Sequence, residues 1–190
     1  MSDKNVNGIL FILAGLGSLV VYMLLGETGL LSKSHTEKIA AYALLTIPLA
    51  FMVTRNVEKN AFKKVQIYID AGLLMIVVGL IMGLVSGAIN SAELSAESDL
   101  IGEAIAWTGW SIMYLGIFFT GLGYFCTNLF PNWLSGLLSL TSFVMFAYLA
   151  ILSPEQLSNS GDSIVAPLWM INSLVLVILG IFTIRRKELD

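Results

Sequence analysis

The sequence predicts an all-α, polytopic membrane protein: one transmembrane bundle of six helices with both termini cytoplasmic. Three observations lead there. Of the 190 residues, 57% are hydrophobic and only 12% are charged, with a mean hydropathy of +0.85, whereas soluble domains carry roughly 25% charged residues. The apolar residues fall into six uncharged runs, each close to the roughly 20 residues that cross a bilayer as a helix. The basic residues between those runs sort onto one side. A soluble monomer is excluded by the shortage of polar side chains, and disorder by the high hydrophobicity. A transmembrane β-barrel would need a period-2 alternation that is absent.

The first run, 8–25, has 18 residues with only Lys4 before it. It is long for a signal peptide, and no small-x-small cleavage site follows promptly, so it reads as an anchor that stays. The second run, 39–54, is the shortest, with 16 residues between Lys38 and Arg55, and contains Pro48. It crosses if both cations snorkel outward; the alternative is a re-entrant or tilted interfacial segment.

The third run, 67–89, carries Gly72, Gly79, Gly83 and Gly87. The last three are spaced by four and form one groove, suited to a tight contact within the bundle or with another subunit. Asp70 lies one turn inside this run. The helix dipole and an ion pair with Lys63 or Lys64 at the headgroups account for it; a proton or cation site is the alternative. At 100° per residue, Asp70 and Gly79 point opposite ways.

The fourth run, 103–126, has two faces. Gly102, Gly109, Met113, Gly116, Thr120 and Gly123 make a packing seam. Opposite them, Glu103, Trp107, Trp110 and Tyr114 follow spacings of four, three and four. One reading of this stripe is an interfacial aromatic belt with a carboxylate in the first helical turn. The other is a pocket wall whose Trp faces hold an apolar or cationic molecule. Cys126, at the inner end, reads as a small packing residue, with palmitoylation as the alternative.

The fifth and sixth runs are 133–152 and 164–184. Asn172, just after Pro167 and Trp169, sits at mid-bilayer, where an amide needs a partner. Ser139 or Ser142 is its expected hydrogen-bond partner; pocket lining is the second reading. His35 is expected in a short solvated outer loop.

Orientation follows from the basic residues. Lys4, Arg55, Lys59, Lys63, Lys64, Arg185, Arg186 and Lys187 fall on one side of a six-span topology, and only Lys33 and Lys38 on the other. That places both termini in the cytoplasm, in the plasma membrane. Glu27, Glu37, Glu93, Glu97, Asp99, Glu103, Glu155 and Asp162 decorate the opposite face.

Several chemistries are missing. A single cysteine and a single histidine provide no intramolecular disulfide, thiolate metal site, bis-imidazole haem or two-His triad. There is no phosphate-binding glycine loop, no serine–histidine pair within a span and no aspartate cluster for a divalent metal. The net charge of −3 provides no surface for nucleic acid. A non-catalytic protein without cofactor or metal is expected.

The C-terminal third, with Phe130-Pro131-Asn132-Trp133-Leu134, Pro167-Leu168-Trp169, Gly180 and Arg185-Arg186, resembles a family of small polytopic membrane proteins of unknown function. The size and topology also resemble the substrate-capture subunits of energy-coupling-factor transporters. Those dock through a small-xxx-small face on the first helix, which Ala14 and Ser18 would supply here, although this helix lacks a clear alanine pair. The leading functional expectation is a subunit or accessory component of a larger membrane complex, resting on the two glycine seams. The alternative is small-molecule capture or transport through an aromatic-lined pocket near the extracytoplasmic face, using Glu103, Trp107, Trp110, Tyr114 and Asn172.

Overall fold

The computed structural model of the chain describes residues 2–21, 33–92, 95–152, 156 and 162–186. Every regular element among them is helical. Helix α1 (Asp3–Leu19) starts ahead of the first apolar run because Ser2 caps it, accepting from the Asn5 amide at 3.4 Å with Asp3 in the first turn. Residues 22–25 of that run lie outside the described residues.

The second run is two helices in series, α2 (Lys33–Leu44) and α3 (Thr46–Val57), separated by Leu45. Pro48 explains the break: it has no N–H to donate, and its ring excludes the Leu44 carbonyl from helical geometry. The Thr46 hydroxyl donates to the Ala43 carbonyl at 2.6 Å, satisfying one acceptor that the break exposes. Together Lys38–Val57 is still long and apolar enough to cross a membrane. His35 lies in the first turns of α2, and so is not in a loop.

Helix α4 (Gln66–Ser91) is followed by the longest element, α5 (Ala96–Thr127). The fourth apolar run begins at 103, but a capping box formed by Ser95 and Ser98, with Glu97 and Asp99 in the first turn, starts the helix seven residues earlier. Its 32 residues span about 48 Å at 1.5 Å per residue, longer than the hydrocarbon thickness of ~30 Å. Asn128 ends α5 in the left-handed region, at φ 52°, which asparagine tolerates better than most residues. Pro131 then sits at the N-cap of α6 (Asn132–Ile151), and α7 (Asp162–Arg185) completes the chain.

These elements form six helical segments, five of them long and apolar enough to span a membrane. They close into a ring: α1 packs on α2 and α3, these on α4, α4 on α5, α5 on α6, α6 on α7, and α7 back on α1. Large apolar side chains face outward from every segment, among them Leu13, Tyr42, Leu74, Leu140 and Leu174. That surface would be intolerable in water and is ordinary against lipid. The protein is an integral membrane bundle.

Close backbone approach holds two sides of the ring. Between α4 and α5, Gly72 faces Gly116 and Gly79 faces Gly109. A methyl on Gly79 would lie 2.6 Å from the Met113 amide nitrogen, and one on Gly116 2.7 Å from that of Ile76. The closest pairs repeat every seven residues, two helical turns. Gly83 flanks them: its amide nitrogen would lie 3.2 Å from a methyl on Gly109, and a methyl on Gly83 itself would meet the Trp110 ring at 3.7 Å, whereas Gly87 has nothing within 4 Å. The expected groove thus makes its contact within the chain at Gly79 and Gly83, and lies open at Gly87. A second heptad seam, unanticipated from the sequence, joins α1 to α7, where Gly8 faces Gly180 and Gly15 faces Ser173.

The end of the ring carrying Lys4, Arg55 and Arg185 is held by polar pairs. Asp70 accepts from Arg55 Nε at 2.9 Å and from Gln66 Nε2 at 3.0 Å. The expected partners Lys63 and Lys64 are thus replaced by an arginine across the α3–α4 turn. Arg186 pairs with Glu58, and partial burial shifts the guanidinium below its ordinary pKa. Asn7 donates to the Thr54 hydroxyl at 2.8 Å. Just inside these pairs lies an aromatic layer: Tyr124 sits 5.7 Å from Phe62, 6.0 Å from Phe51 and 5.1 Å from Phe130, and Phe11 meets Phe51 edge-on at 5.2 Å.

Candidate functional site: a tryptophan-lined cavity

The ring surrounds a half-open cavity of about 370 Å³, within the range that holds small organic ligands. Five of the six segments line it; α4 stands behind α5. On α5, Trp107, Trp110 and Tyr114 contribute a wall, extended inward by Met113 and Ile117. Trp169 and Asn172 face it from α7, Met145 and Leu149 from α6, Leu44 and Ile47 from the broken span, and Ala14 from α1. These positions lie in the half of the bundle away from the basic end. Toward that end, the aromatic layer of Phe11, Phe51 and Tyr124 follows within about two turns along each helix.

The helical period explains the convergence. Spacings of three and four put Trp107, Trp110 and Tyr114 on one face of α5, while the glycine seam on the opposite face seats that helix against α4. Pulling α4 close fixes the direction in which the aromatic face points. Tyr114 is 6% exposed, too enclosed for an interfacial belt residue. Trp133, at the start of α6, is 58% exposed on the outer surface, and so occupies the position that a belt residue would take.

Glu103 belongs to neither expected role. It does not line the cavity, and the helix begins at Ala96, so it is not in the first turn either. No charged side chain lines the cavity among the described residues.

Asn172 is 3% exposed and links α7 to α6. Its Oδ1 accepts from the Ser142 hydroxyl at 3.0 Å and lies 3.1 Å from that of Thr141; its Nδ2 donates to the Leu168 carbonyl at 3.0 Å. A carbonyl can only accept, which fixes the amide orientation. Ser142 was anticipated. Ser139 instead donates to the Ser135 carbonyl at 2.9 Å and packs against Gly121, while Thr141 was missed. Its adjacency to Ser142 on an otherwise apolar helix was the available signal.

The Trp107 Nε1–H, on a side chain of the cavity wall, is buried without an acceptor among the described residues; Ser135 Oγ, away from the cavity, likewise lacks a partner there.

The remaining expected sites lie elsewhere. Asp70 sits beside Arg55 at the basic end, outside the cavity. Cys126 is exposed, contrary to the packing role expected for it. Ala14 is buried and turned toward the cavity, not outward as a docking face requires. The side chain of Ser18 and residues Glu27, Glu93, Glu155 and Lys187 lie outside the described residues. No group of three or more His, Cys, Asp or Glu side chains suited to a metal occurs among those described. Compared with protein-family models, curated proteins and solved structures, the chain has no match.

Proposed function

We propose that this protein is a non-catalytic membrane protein that captures or carries a small molecule in the Trp-lined cavity. One observation supports this above the others: the aromatic side chains of α5 and α7 converge on one half-open space within the ring. The basic end is placed in the cytoplasm, with both termini, by the retention of Lys and Arg on that side. The cavity then lies in the extracytoplasmic half of a plasma-membrane protein, separated from the cytoplasm by the aromatic layer.

The subunit reading rests on glycine seams, and Gly72, Gly79, Gly109 and Gly116 are already used within the chain. What still favours it is Gly87, which leaves an open notch on α4. Native mass spectrometry in mild detergent separates the readings: a stoichiometric protein partner lost on Gly87→Leu supports the assembly, and a monomer that binds ligand supports capture.

The direct test uses the protein in lipid nanodiscs and indane, a compact apolar probe. Saturable binding is expected for the wild type. Ala166→Trp, which places an indole in the cavity wall, is expected to reduce binding to the level of bilayer partition. Equal, non-saturable uptake by both proteins would remove the proposal.

A further inference from the structure

At the basic end of the ring, away from the Trp-lined cavity, a second hollow of about 280 Å³ opens between the α5–α6 turn and the last turns of α7. We infer that it seats an anionic phospholipid, with hydrocarbon in the groove and the phosphate on Arg185 and Arg186. The α7 wall is built by the helical period. Ile181 and Arg185, and likewise Phe182 and Arg186, are four residues apart and so stack on one face. The Arg186 amide donates to the Phe182 carbonyl at 2.9 Å, which keeps the chain helical past Arg185. Each guanidinium therefore stands one turn, about 5.4 Å, beyond an exposed apolar side chain. That is the profile of the boundary between hydrocarbon and headgroups. Leu129, Phe130 and Pro131 form the facing wall, on a turn that Asn128 begins at φ 52°. Trp133, just beyond it, is exposed on the outer surface, where an indole marks interfacial height.

Charge selects the occupant. Arg186 is held by Glu58, whereas Arg185 is exposed and belongs to neither the Arg186–Glu58 nor the Arg55–Asp70 pair. Two guanidiniums against one carboxylate leave a single positive charge in excess at the mouth of an apolar groove. A phosphodiester with an otherwise uncharged headgroup matches that excess, and guanidinium forks suit phosphate oxygens. A choline headgroup brings its own ammonium beside the guanidiniums and gains less. Free phosphate would meet the same guanidiniums but leave the apolar walls unused. Basic pockets between helices at a membrane surface bind anionic headgroups in this way. The assignment needs only the placement of the bundle in a membrane, and stands whether or not the Trp-lined cavity captures a ligand.

The test titrates the full chain in detergent with dioleoylphosphatidylglycerol or dioleoylphosphatidylcholine and counts bound lipids by native mass spectrometry. The phosphatidylglycerol is expected to bind saturably and about fivefold tighter, the effect of one basic side chain at an anionic surface. Arg185→Gln, on the exposed surface, is expected to keep the wild-type thermal midpoint and bring the two lipids to equal affinity. Ile181→Trp, which fills the groove, is expected to weaken both lipids alike. Lys63→Gln removes an exposed cation of the same end that does not line the groove, and is expected to keep the preference. Equal affinity of the wild type for the two lipids overturns the inference. An equal loss of preference in Lys63→Gln does so too, because attraction would then be diffuse. Full displacement of the lipid by sn-glycerol 3-phosphate would make the site a phosphate site and overturn the role of the groove. A dimer without bound lipid, lost on Ile181→Trp, would put a second copy of the chain there instead.

Discussion

Asn172 and Asp70 are both polar groups on apolar helices, and the structure treats them differently. Asn172 bridges two helices in the interior, where an interhelical hydrogen bond contributes about 0.6 kcal/mol and up to about 2. Asn172→Leu is expected to lower the unfolding free energy in detergent by an amount in that range, read as a lower thermal midpoint, and Ser142→Ala by less. Asp70 pairs with Arg55 with about two-fifths of its side chain exposed, a setting in which ion pairs contribute ~1 kcal/mol or less. Asp70→Asn is expected to leave both the thermal midpoint and probe binding nearly unchanged; abolished binding would instead mark it as a working carboxylate. Both residues stood out in the sequence because polar groups are rare within the spans. Of their partners only Ser142 was legible; Arg55 and Thr141 come from other helices and are selected by tertiary contact.

At the scale of elements, the two heptad seams decide how the helices stand. Gly79 and Gly87 are both glycines on α4 and eight residues apart, yet only the first meets another backbone. Gly79→Ile should therefore destabilise by about 1–3 kcal/mol, the usual penalty of overpacking, or prevent folding. Gly87→Ile should be tolerated, as judged by retained monodispersity and thermal midpoint. A matching loss at Gly87 would mean that another subunit covers it. The four-residue glycine spacing is visible in the sequence and marks the face that Gly79 and Gly83 turn to α5, but not the register at which that neighbour crosses it. The seven-residue pairs on α1 and α7 are equally visible, but nothing local marks which helix an eighteen-residue anchor will meet. Helix starts show a related gap. Hydropathy finds the apolar run, but α5 begins at the Ser95 capping box, outside it.

For the whole molecule, the ring order and the distribution of charge make one topological prediction. In a Cys126→Ala background, Ser2→Cys is expected to react with a membrane-impermeant thiol reagent only after the cytoplasmic side is opened. Labelling from outside in intact cells would invert the orientation and place the cavity in the cytoplasmic half. The wild-type thiol of Cys126 is exposed at the same end, and is expected to follow the same pattern where lipid does not cover it.

The sequence alone determined the class of this protein, because hydrophobicity and the positions of charge are summed properties of the chain that need no contacts to act. It also isolated the aromatic stripe on α5, because helical periodicity is local. Which way that stripe points was settled only by tertiary structure. α4 locks onto the opposite face of α5 through Gly72, Gly79, Gly109 and Gly116, and the closure of α7 on α1 brings Trp169 and Asn172 round to complete the wall. A stripe of Trp and Tyr has the same spacing whether it meets lipid or a cavity; the difference lies in which neighbours approach, and that depends on packing between segments far apart in the chain.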